Sequence, residues 1–224
     1  IYDTAEGYAR RAESFYAGSA KVKDLIGLRA SIYLAQGRFE ELAALAGTPR
    51  DSSRPNELIW AGVSRVAQGD GSGAAELFRA VLNAPMAKLM EPDQQIAIHG
   101  AAAWAEIVAG REEAVDELVA QAEAIYSEAV ARGWDNPQLH AWAAVSEFIG
   151  ERPDVALTRL RLAVEKGWRE SRLLGELPAI QAMRERPEFR ELLDWVDQDL
   201  DRMSRAVVNV ASAASSEGRS AVRR

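Results

Sequence analysis

At 224 residues the chain is long enough for one large domain or two small ones. Its 34 acidic against 27 basic residues give a net charge of −7, which repels phosphate backbones and anionic membranes and argues against nucleic-acid binding by this segment. It holds no cysteine, which excludes disulfides, thiolate metal sites and cysteine nucleophiles, and it has no apolar run approaching the ~20 residues of a membrane-spanning helix.

The chain opens on Ile1, with no basic-then-apolar leader. This predicts a cut made inside a longer protein or a processed terminus. Residues 2–17 read as a helix, the second half of a unit truncated upstream. From there almost every segment has apolar residues at steps of three and four, as in Leu25, Leu28, Ile32 and Ala35, or Leu118, Ala122, Ile125 and Ala129. Breaks fall at Gly47-Thr48-Pro49, Asp51 to Pro55, Gly69 to Gly73, Glu91-Pro92, Asn136-Pro137 and Arg152-Pro153. The stretch Gly69-Asp70-Gly71-Ser72-Gly73 lacks the Gly-Lys-Ser/Thr ending of a phosphate cradle and reads as a flexible turn between helices.

Four glycines, Gly37, Gly69, Gly110 and Gly150, each follow one helix and precede another, at spacings of 32, 41 and 40 residues. A glycine there can adopt the left-handed conformation that ends a helix. Helix–glycine–helix units recurring at such intervals mark a stack in which each unit covers its neighbour's apolar stripe. Seven positions before the glycines stand Ala30, Gly62, Ala103 and Ala143, all small, as a close helix crossing requires. About five positions after them come Leu42, Ala74, Ala114 (one place early) and Ala156 (one place late). This pattern resembles tetratricopeptide (TPR) repeats. It implies an all-α fold, a TPR-like α-solenoid of antiparallel helix pairs. The predicted repeat domain covers 1–205, with units at 20–47, 56–84, 93–132 and 136–167 and a C-terminal cap at 173–205. A long unbroken helix is predicted from Arg111 to Arg132. The segment 206–224 reads as a loose tail. An irregular bundle with coincidental glycines is the competing reading.

From about Asn136 to Arg205 the succession Gly150, Ala156-Leu157, Gly167-Trp168-Arg169, Leu177-Pro178, Met183-Arg184, Arg186-Pro187-Glu188-Phe189 and Leu192-Leu193 resembles the C-terminal TPR region of bacterial multidomain regulators. These carry a CadC-type winged-helix domain or a class III adenylate cyclase domain at the N-terminus, some with a TolB-like segment. The chain departs from their pattern at Glu170, Arg186 and Glu188. The motif reads as a cap: Trp168 plugs the last pair, Leu177, Ile180 and Met183 form a short sealing helix, and Pro187 opens a final helix packed through Phe189, Leu192, Leu193 and Val196.

No catalytic constellation stands out. His99 and His140 are the only histidines, too few for a zinc site, and acidic pairs such as Glu40-Glu41 and Glu112-Glu113 suit helix N-termini. Neither a cofactor nor a metal is implied. The expected function is non-catalytic protein or peptide binding, as the interaction or sensory part of a bacterial regulator, with the cytoplasm favoured over the periplasm. Matching to TPR positions puts Asn56, Ile59, Val63, Trp104, Ile107, His140 and Glu147 on the concave, partner-binding face, with Trp60 and Trp142 packed against neighbouring units. The alternatives are a helical enzyme or small-ligand sensor with a pocket inside the superhelix, and a structural oligomerisation domain.

Overall fold

The computed structural model describes residues 7, 22–46, 55–170 and 178–221, and among them there is no strand. Among the described residues nine α-helices follow one another: α1 (Val22–Ala35), α2 (Phe39–Ala46), α3 (Pro55–Ala67), α4 (Gly71–Leu82), α5 (Pro92–Val108), α6 (Val115–Ala131), α7 (Pro137–Ile149), α8 (Pro153–Glu165) and α9 (Pro187–Ala221). Short 3-10 segments lie at Pro85–Leu89, Glu112–Ala114 and Pro178–Glu185. All seven prolines among the described residues open one of these elements. Proline fits there because its fixed φ suits the first turn and its missing N–H would have had no partner. The predictions for 2–17, for the break at 47–54 and for Leu177 lie outside the described residues.

Consecutive helices α1 to α8 pack against each other, and α5 also touches both α3 and α7. The chain therefore folds back at each connection and lays α3, α5 and α7 side by side. What makes it fold back is a repeated backbone device. Gly37, Gly69 and Gly110 take positive φ of 65°, 83° and 72°. At each, the next residue's N–H returns to the carbonyl five residues earlier, Arg38 to Tyr33, Asp70 to Arg65 and Arg111 to Glu106, all at 2.9 Å. This satisfies carbonyls that the helix end leaves open.

The fourth connection corrects the predicted register. Gly150 has φ −79°, and the left-handed residue is Glu151, at φ 57°, with Arg152 N–H bonded to Glu147 O at 2.9 Å. Gly150 is small for another reason: a Cβ there would lie 2.8 Å from Cγ1 of Val119. Counting from Glu151 removes the apparent irregularities. The small residue seven places back is Ala144, buried in the main core, whereas Ala143 packs in a second cluster with Ile96, Ala122, Ala129 and Leu139. The residues five places on are Leu42, Ala74, Val115 and Ala156, all buried. Ala114 is not among them, because a 3-10 turn at Glu112–Ala114 delays the start of α6. The long helix expected over 111–132 is correspondingly shorter.

The stretch 69–73 is not a flexible loop. Helix α4 begins at Gly71, capped by Asp70, whose Oδ1 accepts from the N–H of Gly73 at 2.9 Å. Gly71 is buried against the end of α5, where a Cβ would lie 2.6 Å from Ala105 O and 2.7 Å from Val108 C. Gly62 meets the ring of Phe78 in the same way, at 2.7 Å for a built Cβ.

At the C-terminal end Trp168, Ile180, Met183, Phe189 and Val196 are buried with the main core. The sealing segment is a 3-10 stretch that departs from helical geometry at Ile180 (φ −113°, ψ 18°). Arg169 ties the end of α8 to α9. Its guanidinium donates to Asp199 and to the carbonyls of Val164 and Trp168, all at 2.8 Å or less, and lies 4.9 Å from the Trp195 ring centroid. Helix α9 continues to Ala221, so the segment predicted as a loose tail carries helical backbone. Alanine-rich sequence without proline permits this.

Candidate functional site: an apolar groove along the first helices

Counting back from the left-handed residues 37, 69, 110 and 151, the ninth position is Leu28, Trp60, Ala101 and Trp142, and the sixth is Ser31, Val63, Trp104 and Val145. Positions three apart share a helix face. Eight side chains of the same two registers, two from each of α1, α3, α5 and α7, converge on one concavity. Its volume is about 550 Å³. Asn56, Ile59, Met90, Gln94, Ile98 and Ile149 complete much of the lining, and Glu170 stands at one end. Leu28 is 48% exposed at the opposite end.

Of the residues predicted for this face, Asn56, Ile59, Val63 and Trp104 line the groove. Ile107, His140 and Glu147 do not. Helical phase explains the misses. At about 100° per residue, Trp142, Val145 and Ile149 lie on one side of α7, and His140 and Glu147 lie almost opposite. Ile107, three residues after Trp104, lies beyond the groove near the end of α5 and is 41% exposed. Trp60 and Trp142, expected to pack between units, line the groove as well. Register counted from Gly69 was the sequence signal that could have found Trp60, whereas Trp142 falls in step only when counted from Glu151, which the backbone reveals.

His140 and Glu147 belong to a polar network between α6, α7 and α8. The Tyr126 hydroxyl donates to Nδ1 of His140 (3.1 Å), and its Nε2–H donates to Asp135 (2.8 Å). Lys166, then His140, hold the Asp135 carboxyl below its ordinary value. Burial pushes the Tyr126 phenol up, which keeps it a hydroxyl donor. The Arg159 guanidinium lies 4.0 Å from the Tyr126 ring centroid and pairs with Glu123 (2.6 Å) and Glu147 (2.7 Å). Glu147 also meets Arg152 at 2.7 Å. Burial, reinforced by a hydrogen bond shared with Glu123, raises Glu147. Burial would raise Glu123 too, but the bonds from Glu147 and Arg159 outweigh it and leave that carboxyl lowered. Its groups are engaged with one another.

Glu147–Arg152 is one of four such pairs, each joining the two residues whose backbone groups close a turn. The others are Glu106–Arg111 (2.5 Å), Arg65–Asp70 with the signs reversed (3.8 Å), and Arg38 stacked 4.4 Å from the Tyr33 ring centroid. Glu106 also takes Arg79 of α4 at 2.9 Å. Burial works against its ionisation, but Arg111 and Arg79 outweigh it and hold the carboxyl low.

Among the described residues no group of three or more His, Asp or Glu is placed to hold a metal, and no helix is long and apolar enough to cross a membrane. No family model, no curated protein and no solved structure matches the chain.

Proposed function

We propose that the chain is a non-catalytic, TPR-type module that binds a polypeptide segment in the groove along α1, α3, α5 and α7. The observation that carries this reading is the convergence of the same two register positions from four alternate helices on one open apolar concavity. Helices packed roughly 8–10 Å apart make such a groove roughly 25–30 Å long. That is the span of about 18 residues of helix, and longer than a compact small molecule needs. Tryptophan and aliphatic side chains in a concavity are the usual anchors of peptide recognition. The resemblance of residues 136–205 to multidomain bacterial regulators makes the module the interaction or sensory arm of such a protein. A second reading, an apolar small-molecule pocket, draws on the volume of about 550 Å³, which lies within the usual range for such sites.

The test is selection of random 15-residue displayed peptides on the 224-residue chain, followed by affinity measurement on Leu28→Glu and Ile59→Asn. Leu28 is exposed, so its substitution leaves the melting temperature unchanged. Binding should fall by tenfold or more in both variants. Peptides that ignore both substitutions would place recognition elsewhere and end this proposal.

A further inference from the structure

We infer that the groove's occupant carries a basic residue where it passes the α7 end, and that this residue pairs with Glu170 beside the Trp142 indole. The inference rests on the groove being a peptide site, and it adds the partner's charge and direction.

Glu170 is the one charged residue among the described residues that line the groove; the polar remainder, such as Ser31, Asn56 and Gln94, is neutral. The buried carboxylates described above, Glu106 and Glu147, are matched by arginines. The only polar contact described for Glu170 is a 3.4 Å hydrogen bond donated by the neutral amide of Gln138. The position is also a fixed one. Trp168 is buried and Arg169 is held by four contacts, so the backbone presents the next residue, Glu170, at a set place.

Gln138 lies one helical turn before Trp142 on α7, so the carboxylate and the half-buried indole both face the same end of the groove. A guanidinium there meets a carboxylate for its charge and an aromatic face for its plane. Among the described residues the remainder of the groove offers no charge, so an occupant with charges along its middle would strand them unpaired. The chain's net charge of −7 steers the same kind of ligand toward it. An apolar segment flanked at one end by Arg or Lys meets all of these conditions.

The peptides selected on the chain supply the test. Those whose binding is lost in Leu28→Glu are the groove ligands. They should carry Arg or Lys at one end of an apolar stretch. Replacing that residue by Gln, or making Glu170→Gln in the protein, should weaken binding about fivefold to tenfold, and the two changes together should cost no more than either alone. Selection on Glu170→Lys should exchange the basic residue for Asp or Glu. Groove ligands with no basic enrichment, or affinities indifferent to Glu170→Gln, overturn the charge assignment and leave the groove intact. A selection yielding no peptide dependent on Leu28 overturns the groove and this inference together.

Discussion

The two sides of α7 are built from opposite chemistries. One presents Trp142, Val145 and Ile149 to the groove, the first half-buried and the other two buried. The other sets His140 and Glu147, each only 2% exposed, into a network of arginines, a tyrosine and two further carboxylates. Helix α5 repeats the division, with Ile98, Ala101 and Trp104 toward the groove and Glu106 clamped by Arg79 and Arg111. The difference teaches which side holds the fold. Polar groups withdrawn from water must be paired, and their pairing fixes how one helix sits on the next. The apolar groove side makes no such demand.

That division is broken most severely at its packed side. Gly71→Ala should be the costliest single change proposed here, because the added carbon meets backbone atoms of α5 at 2.6 and 2.7 Å. Backbone cannot rotate aside, so a loss of about 3 kcal/mol is expected. For a chain of this length that is roughly 6–12 °C in melting temperature. Gly69→Ala is the control. Its Cβ enters open space, but its φ is 83°, so it should lose about 1 kcal/mol. Equal melting temperatures for the two variants would show that α4 does not abut α5 as described.

The clamps sharpen the comparison, because the two buried glutamates at equivalent places titrate in opposite senses. Glu106 is held low, so it binds protons less readily folded than unfolded. Its contribution is full above the ordinary carboxylate range and is lost as the pH falls through it. Glu147 is raised, so its ionisation opposes folding as the pH climbs above that range. Glu106→Gln should therefore cost more at pH 7 than at pH 4, about 1–3 kcal/mol at neutrality, the lower end being favoured because Arg79 and Arg111 are 57% and 42% exposed. Glu147→Gln, which keeps a hydrogen-bonding amide, should cost less as the pH rises. Urea melts from pH 4 to 8 measure both. Slopes of the same sign would refute the distinction.

Much of this architecture was legible before any coordinates. Helix content, the glycine-ended turns at 37, 69 and 110 and the close crossing at Gly62 all follow from periodicity and residue size, which are local properties. What escaped was tertiary. The glycine at 71 belongs to a helix, and only the neighbouring end of α5 explains why it has no side chain. Of the seven residues predicted for a concave face, Asn56, Ile59, Val63 and Trp104 line the groove and Ile107, His140 and Glu147 do not. His140 and Glu147 were assigned by their likeness to TPR positions rather than by angle around α7, and a polar residue carries no mark of whether it faces a ligand or an arginine on the next helix.

The error at the fourth turn yields the smallest and most discriminating prediction. The sequence put the left-handed residue at Gly150; the backbone puts it at Glu151, with φ 57°. A residue with a Cβ loses roughly 1–2 kcal/mol in that conformation relative to glycine, offset in part by glycine's greater freedom when unfolded. Glu151→Gly should therefore stabilise the chain, by about 0.5–1 kcal/mol, which corresponds to a rise of roughly 1–4 °C in melting temperature. Gly150→Ala should destabilise it, since the new carbon meets Val119 at 2.8 Å. Were Gly150 the turn residue, glycine at 151 would bring no gain and would destabilise the following helix start. The sign of one melting-temperature shift thus decides between the two registers, and with them whether Trp142 and Val145 hold the same places as Trp60 and Val63.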